Sequence, residues 1–333
     1  MKRRLARVAA GLLLLGTVGA LAVSQRLAPA AAEATPELFV VESGDSLARI
    51  ATRLEAAGLV RDARAIEWLA RLRGLAGSLH AGEYALSAAA RPGEILDQIA
   101  SGRVITYAVS VPEGFTAALI GARLEEAGLA AAGEFEAVAN DAAFAAELGL
   151  PAERLEGYLF PETYHLPRGQ SPRAIARAMV EQFRRVWREL APRAEERGLG
   201  MHEVVTLASI VEKETGAEEE RPLIASVFAN RLARGMRLES DPTTIYGIPG
   251  FDGNLRRRDL EDEENPYNTY RIPALPPGPI ASPGRQALSA VVEPAESDYL
   301  YFVSRNDGTH VFSRSYREHV NAVNRFQRRR ASK

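Results

Sequence analysis

Cysteine is absent from the 333-residue sequence, so disulfides, thiolate metal sites and a cysteine nucleophile are excluded. Positive charge is not in excess either. The formal net charge is −2, which argues against nucleic acid as a partner. The arginine runs at 256–258 and 328–330 are short, and we interpret both as solvated surface. Composition is otherwise that of a globular protein long enough for two or three domains.

Several catalytic motifs are also missing. The sequence has no glycine-rich dinucleotide or phosphate loop and no G-x-S-x-G nucleophile elbow. His202-Glu203 resembles the start of a zinc-protease motif, but Thr206 stands where the second histidine ligand would be. The five histidines show no metal-binding spacing. We therefore expect neither a metal ion nor a cofactor.

The first 26 residues have the pattern of a membrane anchor. Four basic residues at positions 2, 3, 4 and 7 precede an uncharged, mostly apolar run at 8–23. The run is about as long as the shortest bilayer-spanning helices, and its basic flank predicts a cytoplasmic N-terminus. We expect an uncleaved single-pass anchor in the cell inner membrane with a periplasmic remainder. A cleaved signal peptide is the alternative, because Ala28-Pro-Ala30 offers small residues.

An internal repeat follows an Ala- and Pro-rich linker at 27–37. Segment 41–59 (VESGDSLARIATRLEAAGL) aligns with segment 111–129 (VPEGFTAALIGARLEEAGL) at a constant offset of 70 residues. Each copy reads as a strand, a glycine turn, a helix begun by Ser46 or Thr116, and a glycine that ends the helix. A further strand is predicted at 81–86 and a short helix at 92–99. These units predict compact α+β modules.

The first copy resembles a LysM module. Residues 39–51 (FVVESGDSLARIA) match the opening of that βααβ fold, and the resemblance implies binding to polymers that contain N-acetylglucosamine. The alternative is a generic strand–turn–helix unit. The second copy is more divergent, with Pro112 and Phe115 in its turn.

The composition changes after residue 150. Segment 155–164 (LEGYLFPETY) combines aromatic rings with two carboxylates, a set that can stack on sugar rings and bind their hydroxyls. A packed hairpin with core aromatics is the alternative. Next, Ile175, Met179, Phe183, Val186 and Leu190 mark a helix, and the proline at 192 is expected to kink it or start another.

One stretch, 207–216 (LASIVEKETG), reads as the end of an amphipathic helix that stops near Gly216. Glu212 projects from its small, apolar stripe, next to Ala208 and Ser209. Burial and the negative end of the helix dipole both favour the protonated acid, the form that a general acid requires. A structural glutamate paired with a lysine is the alternative.

The remaining third is rich in loops. It contains SDPTTIYG at 240–247 and a proline-rich stretch at 275–284. Before these loops, a helix is predicted that begins with the acidic residues 218–220 and ends at Gly235. After it, strands at 299–303 and 310–312 flank a turn at 306–308, and a final helix covers 316–326. Carboxylates, hydroxyls and aromatics on an exported protein point to glycosidic-bond chemistry.

The chain resembles the YceG-like family of endolytic murein transglycosylases from the anchor to about residue 326. Ordered blocks carry the resemblance: EGYLFPETY (156–164), LASIVEKET (207–215), DPTTIYG (241–247), NTY (268–270), LPPGPIASPG (275–284) and YLYFV with HVF (299–303, 310–312). The resemblance implies a single-pass inner-membrane protein that cleaves nascent peptidoglycan strands internally. Its expected partners are peptidoglycan strands and peptidoglycan synthases.

In this resemblance the catalytic glutamate falls on Glu212. The resemblance implies that this carboxyl group protonates the glycosidic oxygen between MurNAc and GlcNAc. The same group then accepts the proton of the C6 hydroxyl of the muramic acid, which leaves a 1,6-anhydro end. The candidate substrate-binding residues are Glu156, Tyr158, Glu162, Tyr164, Ser209, Glu214, Asp241, Thr243, Tyr246, Asn268 and Tyr270.

The expected organisation is α+β: a cytoplasmic tail and anchor (1–26), a linker (27–37), a LysM-like peptidoglycan-binding region with the repeat (38–150) and a catalytic domain (151–333). Two rival functions remain open from sequence. One is a muramidase-type hydrolase of the same bond, since the two reactions differ only in whether water is excluded. The other is a non-catalytic peptidoglycan-binding scaffold.

Overall fold

A computed structural model of the chain describes residues 17, 19, 21 and 23–328. It has the expected mixed α+β composition, with many helices and small two-stranded sheets. The predicted membrane anchor, residues 1–26, lies mostly outside the described residues. Within the described part of the chain, none of the helices combines the length and apolarity needed to cross a bilayer.

The helices are as follows in chain order: α1 (Leu47–Ala56), α2 (Ala63–Leu72), α3 (Pro92–Ala100), α4 (Ala117–Glu126), α5 (Ala132–Ala139), α6 (Ala142–Glu147), α7 (Pro172–Glu196), α8 (Met201–Glu214), α9 (Arg221–Ala233), α10 (Asp241–Tyr246), α11 (Arg257–Leu260), α12 (Arg285–Val292) and α13 (Tyr316–Val323). A 3₁₀ turn at Glu218–Glu220 precedes α9, and a π-helical turn at Asn324–Arg328 follows α13.

The strands are β1 (Glu37–Val41), β2 (Gly82–Leu86), β3 (Tyr107–Ser110), β4 (Thr163–Leu166), β5 (Tyr301–Ser304) and β6 (His310–Ser313). They pair as β1–β2, β3–β4 and β5–β6. The first pair is antiparallel with Phe39 opposite Tyr84, and the last is antiparallel with Phe302 opposite Phe312.

The chain divides into two compact units. The first contains the residues up to Tyr107 together with His165–Gly169, and the second contains Ala108–Tyr164 and the chain from Gln170 onward. Residues 108–150, which the expected domain scheme groups with the first repeat copy, lie in the second unit.

The first unit is built on the order β1, α1, α2, β2. Its core joins side chains from the sheet and both helices, including Phe39, Leu54, Ile66 and Tyr84. The hydroxyl of the buried Tyr84 donates to the carbonyl of His80 at 2.7 Å, so its polar atom is satisfied inside an apolar core.

The predicted repeat is confirmed at the level of local structure. Helices α1 and α4 have the same length and the same 70-residue offset as the sequence copies. Ser46 accepts a hydrogen bond from the amide of Arg49, and Thr116 accepts one from Leu119, so each caps its helix as predicted. Gly58 and Gly128 follow the two helices with positive φ angles.

Helix α7 differs from expectation at its proline. The sequence predicted a kink or a new helix at Pro192, but one helix continues through it to Glu196. Leu190 and Ala194 are both buried on the core-facing side of this stretch. Packing on both sides of the proline therefore compensates for the backbone hydrogen bond that proline cannot make.

Helix α8 is a buried helix and not the amphipathic one that was predicted. Residues 204–211 are all buried in an unbroken run, because α7, α9, α10 and α12 pack around it. The helix ends at Glu214, two residues before the predicted stop at Gly216.

The last third contains more regular structure than predicted. The segment expected as loop at 240–247 forms α10, with Pro242 in its first turn, where a missing amide hydrogen costs nothing. The final hairpin and the helix after it are confirmed, and Asn306 and Gly308 supply the positive φ angles of the turn.

Candidate active site

Glu212 lies in the last turn of α8, and its side chain is only 5% exposed. A buried carboxylate needs hydrogen-bond partners, since water no longer solvates it. The guanidinium Nη2 of Arg221 donates to Oε1 at 2.9 Å, and the amide of Gly284 donates to Oε2 at 2.9 Å. Each oxygen therefore has a donor, and together they stabilise the ionised carboxylate.

Arg221 reaches this position because α9 begins directly after α8. Thr215 is extended, one 3₁₀ turn follows, and α9 then starts at Arg221. A cation in the first turn of a helix opposes the helix dipole. The side chain is nevertheless only 6% exposed, and its other terminal nitrogen, Nη1, donates to Oε1 of Gln286 at 2.5 Å. Its position is explained by the carboxylates around it.

Gly284 forms the other wall of the site. It ends the proline-rich stretch and is the N-cap of α12, so its amide lies at the positive end of that helix. A Cβ atom at this position would lie 1.7 Å from Oε1 of Glu113. Glycine is required here by the close approach of a second carboxyl group and not by its φ angle of −75°.

That second carboxyl group, Glu113, comes from the turn before α4. Its Oε2 lies 3.4 Å from Nη2 of Arg221, the same nitrogen that binds Glu212. Burial and the negative charge of Glu212 raise the pKa of Glu113. The turn is fixed by two backbone bonds of 2.8 Å, from Gly114 to the carbonyl of Ser282 and from Ser282 to the carbonyl of Phe115.

An open depression of about 600 Å³ borders this cluster. Its walls come from the 3₁₀ turn, α9 and α12, and its lining includes Glu218, Arg221, Arg285 and Gln286. The charged side chains that hold Glu212 are thus next to open space, although Glu212 itself is almost fully covered.

Two of the predicted substrate-binding residues form a separate group. The Glu156 carboxylate accepts hydrogen bonds from the Ala117 amide at 3.2 Å and the Tyr246 hydroxyl at 3.2 Å. Burial raises its pKa to about 7. Tyr246 packs edge-on against Tyr267, which lines a cavity of about 390 Å³.

Three further predicted residues meet around another cavity, of about 310 Å³. Glu214 accepts a 2.5 Å hydrogen bond from Ser240, and Tyr270 donates to Asp241 at 2.7 Å. Burial first, and then the charge of Asp241, raise the pKa of Glu214 to about 7. Although only one residue separates Glu212 from Glu214, the two carboxylates have different partners.

The other predicted residues have partners inside the fold. Tyr158 is fully buried and bonded to Nδ1 of His202 at 2.9 Å. Their hydrogen bonds include those from Tyr164 to the Phe160 carbonyl, Ser209 to the Thr206 carbonyl, Thr243 to the Ser240 carbonyl, Asn268 to the carbonyls of Asp259, Leu260 and Asp262, and Gln182 to Glu162. Most of these side chains therefore organise loops and helices.

Sequence reasoning missed Glu113, Arg221 and Gly284. A basic residue just after three acids, at a helix start where the dipole disfavours it, was a usable signal for Arg221. Glu113 and Gly284 gave no comparable signal, because their roles depend on segments distant in sequence meeting at one point.

Two known proteins are similar in sequence to this chain over most of its length. The endolytic murein transglycosylase of Bacillus subtilis strain 168 is 29% identical over 302 residues, covering 86% of this chain and 83% of that protein. The endolytic murein transglycosylase of Streptococcus pneumoniae D39 is 28% identical over 326 residues, 85% of this chain, but the match spans only 58% of that longer protein.

A crystal structure of a YceG-like protein from Listeria monocytogenes superposes with a TM-score of 0.59 at 30% identity, covering 86% of this chain and 99% of that one. The YceG-like family itself matches residues 39–325, which cover most of both units and every residue of the Glu212 cluster. The chain belongs to the YceG-like family.

Proposed function

We propose that this chain is an endolytic murein transglycosylase that cleaves the β-1,4 bond between MurNAc and GlcNAc in nascent peptidoglycan, leaves 1,6-anhydro-MurNAc ends and so terminates glycan elongation. The observation that carries the proposal is the buried carboxyl group of Glu212, held between Arg221 and the amide of Gly284. The relatives named above are endolytic murein transglycosylases, which supports the same activity here.

In the proposed reaction one carboxyl group acts twice. Protonated Glu212 gives its proton to the glycosidic oxygen, the bond from that oxygen to C1 of MurNAc breaks, and positive charge develops at C1. The C6 oxygen of the same sugar then bonds to C1, and its proton passes to ionised Glu212. The carboxyl group regains its starting state, and no water is consumed. An attacking hydroxyl on the same ring has a large effective concentration.

The surroundings of Glu212 suit the second half of this cycle. Arg221 and Gly284 stabilise the ionised carboxylate, the form that must accept the proton from the C6 hydroxyl. Each of its two oxygens is fixed by one donor, so the carboxylate is held in one orientation. A fixed carboxylate loses little entropy when the sugar docks against it.

Digestion of purified peptidoglycan tests this function. Full-length protein in detergent is compared with Glu212→Gln and with the control Glu214→Gln, which changes the neighbouring carboxylate that binds Ser240 instead. We expect 1,6-anhydro fragments from the wild type, at least about 10³-fold less product from Glu212→Gln, and much smaller loss from Glu214→Gln. Mass spectrometry distinguishes the ends, since an anhydro end lacks one water.

Two results would replace the proposal with a rival. Reducing muramic acid ends from the wild type would establish a muramidase-type hydrolase. Full complementation of a deletion strain by Glu212→Gln would establish a non-catalytic scaffold.

We also propose that the first unit is a LysM-like module that binds peptidoglycan. Its order of strand, two helices and strand with antiparallel pairing supports this assignment. Trp68 on α2 is 53% exposed and could stack on a sugar ring. In the Glu212→Gln background, Trp68→Ala should weaken co-sedimentation with peptidoglycan. The control is Leu119, an exposed apolar residue of the second unit, and Leu119→Ala should leave co-sedimentation unchanged.

The location in the cell is a further part of the proposal. We propose a single-pass anchor in the inner membrane within residues 1–26, a cytoplasmic N-terminus and periplasmic units, with peptidoglycan synthases as partners. The basic flank and apolar run in the sequence support it. Protease added to spheroplasts should digest both units but spare a tag placed at the N-terminus, and synthases should co-purify with the detergent-solubilised protein.

A further inference from the structure

The site contains an apparent conflict between geometry and chemistry. A general acid must carry a proton when the glycosidic oxygen arrives. Yet the Glu212 side chain is buried 2.9 Å from the Arg221 guanidinium, a cation that attracts a carboxylate more strongly than a neutral acid. With only these two groups, the first half of the proposed reaction would begin from an unfavourable state.

Glu113 changes the charge balance of this pair. Nη2 of Arg221 lies 2.9 Å from Glu212 and 3.4 Å from Glu113, so one nitrogen faces two carboxylates. The facing carboxylate oxygens can be no further apart than the sum of these two distances. That limit is shorter than the separation of roughly 6.5 to 9.5 Å at which inverting glycosidases place a water between two carboxyl groups.

We propose that Glu113 is a positioning residue that lets the Glu212–Arg221 cluster hold one proton near neutral pH. The inference rests on the proposed transglycosylase function. With both carboxylates ionised, the two glutamates and the arginine carry a net charge of −1, and one added proton neutralises them. Because both carboxylates face one guanidinium nitrogen, the charge of either one acts directly on the other through a short distance.

Other charged groups around the cluster do not supply this effect. Lys213, next to Glu212, has its Nζ 3.4 Å from the carbonyl of Gly114 and carries charge of the wrong sign. Arg285 is paired with Glu189 at 2.6 Å. Glu218 accepts from Gln286 at 2.8 Å and adds negative charge on the solvent side, where it raises the pKa of Glu113 less than Glu212 does.

The two carboxyl groups also differ in access to water. The side chain of Glu113 is 45% exposed, whereas that of Glu212 is 5% exposed. Glu113 is thus the member of the cluster at which solvent protons exchange while Glu212 stays covered. A substrate sugar docked over Glu212 would leave Glu113 as the nearer group to bulk water.

The test is the pH dependence of kcat in full-length protein for Glu113→Gln and Glu113→Asp. Glutamine has nearly the shape of glutamate and can still accept from Arg221, but it has no negative charge. We expect the alkaline limb of the profile to move down by about one pH unit, so that activity falls roughly tenfold at pH 7.5 and little at pH 5. Glu113→Asp keeps the charge and should keep the wild-type limb within a few tenths of a unit.

Two outcomes would overturn the inference. An equal loss of kcat at every pH would mean that Glu113 only holds the turn in place, and an unchanged profile would mean that it has no role in the reaction. The wild-type products in the same assay separate this inference from the proposed function, because a wild type that releases no 1,6-anhydro ends would refute the function itself. Activity in Glu212→Gln would instead assign the acid to another residue. Glu218→Gln is the charge control and should shift the limb less than Glu113→Gln does.

Discussion

The two copies of the repeat use the same turn differently. In the first copy, Asp45 in the turn before α1 accepts from Arg53 of that same helix at 2.7 Å. In the second copy, Glu113 in the turn before α4 faces Arg221, an arginine 108 residues away in sequence. The first turn is therefore closed by local residues, and the second is closed by the segments that surround Glu212.

This difference shows how one copy of a repeated module can become part of the candidate site. The turn, the cap and the helix are kept in both copies, so the backbone presents the turn residues in the same way. The residue directly before the turn glycine is Ser43 in the first copy and Glu113 in the second. The position that is solvated in one copy becomes part of the cluster in the other.

Two tryptophans allow each unit to be followed separately. Trp68 lies on α2 in the first unit and Trp187 on α7 in the second, and the sequence contains no others. Trp187→Phe leaves a fluorescence reporter for the first unit, and Trp68→Phe leaves one for the second. The predictions below use these two backgrounds.

The largest effect is expected from removing Arg221. Arg221→Met leaves two carboxylates without their cation, so the second unit should lose about 3 kcal/mol of unfolding free energy and nearly all activity. Arg53→Met in the first unit should cost less than about 1 kcal/mol, because that ion pair is partly solvated. Denaturation monitored at Trp187 and Trp68 measures both. If the loss for Arg221→Met does not shrink at pH 4, where carboxylates take up protons, the electrostatic explanation is wrong.

The second prediction concerns the pH dependence of the second unit. The pKa of Glu156 is about 7 in the fold and 4.5 in the reference state, so its unfolded form ionises first. The stabilisation that protonated Glu156 gives to the folded state is fully present below pH 4.5 and is lost as the pH rises through about 7. The free energy of unfolding should fall by roughly 3 kcal/mol over this range.

Glu156→Gln should remove this decline, and urea titrations followed at Trp187 at pH 5 and pH 8 would show it. Glu162→Gln changes an exposed glutamate and is the control, so it should leave the decline of the unfolding free energy with pH unchanged. An unaltered pH dependence in Glu156→Gln would assign the decline to other groups, of which Glu214 is the first to examine.

The third prediction compares the glycines of the two turns. Gly44 and Gly114 have φ angles of +86° and +75°, so alanine at either should cost about 1 to 2 kcal/mol. An added Cβ at 44 meets nothing within 4 Å, whereas one at 114 lies 3.5 Å from Cδ of Lys213 and 3.7 Å from Cγ of Glu212. These are ordinary van der Waals distances, so the strain at Gly114→Ala falls on the turn that carries Glu113 and not on these contacts. Because only this turn borders the site, only Gly114→Ala should lower kcat, by about tenfold. Equal kcat in both variants would contradict the link between this turn and the site.

The smallest effects are expected at the helix caps. Ser46→Ala and Thr116→Ala each remove one hydrogen bond to a helix amide, worth about 1 kcal/mol. Each loss should appear only at the tryptophan of its own unit, and kcat should stay near the wild-type value. A loss seen equally at both tryptophans would mean that the two units unfold together.

The local elements were largely predictable because their signals lie within a few residues. Ser46 and Thr116 as caps, the glycines after α1 and α4, and the turn at 306–308 all follow from spacing and side-chain chemistry, and the structure confirms them. Pro192 was misjudged, since its effect depends on the buried neighbours that hold α7 straight.

The site was predictable only in part. Glu212 was found from helix position and family resemblance, but its apolar surroundings were inferred from residues on one helix. Arg221 and Gly284 come from segments whose approach depends on how α9 and α12 pack around α8. Of the predicted binding residues, Glu214, Asp241 and Tyr270 line one cavity, and the others are bonded elsewhere in the fold, because sequence blocks record order along the chain and not proximity in space.

The position of Gly284 also has a consequence for biosynthesis. The cluster joins a turn at residue 113, a helix end at 212 and a glycine at 284, with Gln286 holding the arginine from the far side. Chains emerge from the ribosome N-terminus first. Glu113, Glu212 and Arg221 are therefore all made well before Gly284, whose amide binds Glu212. The cluster can be completed only after Gly284 has been made, and a truncated chain that ends before α12 would carry the acid without the amide that fixes it.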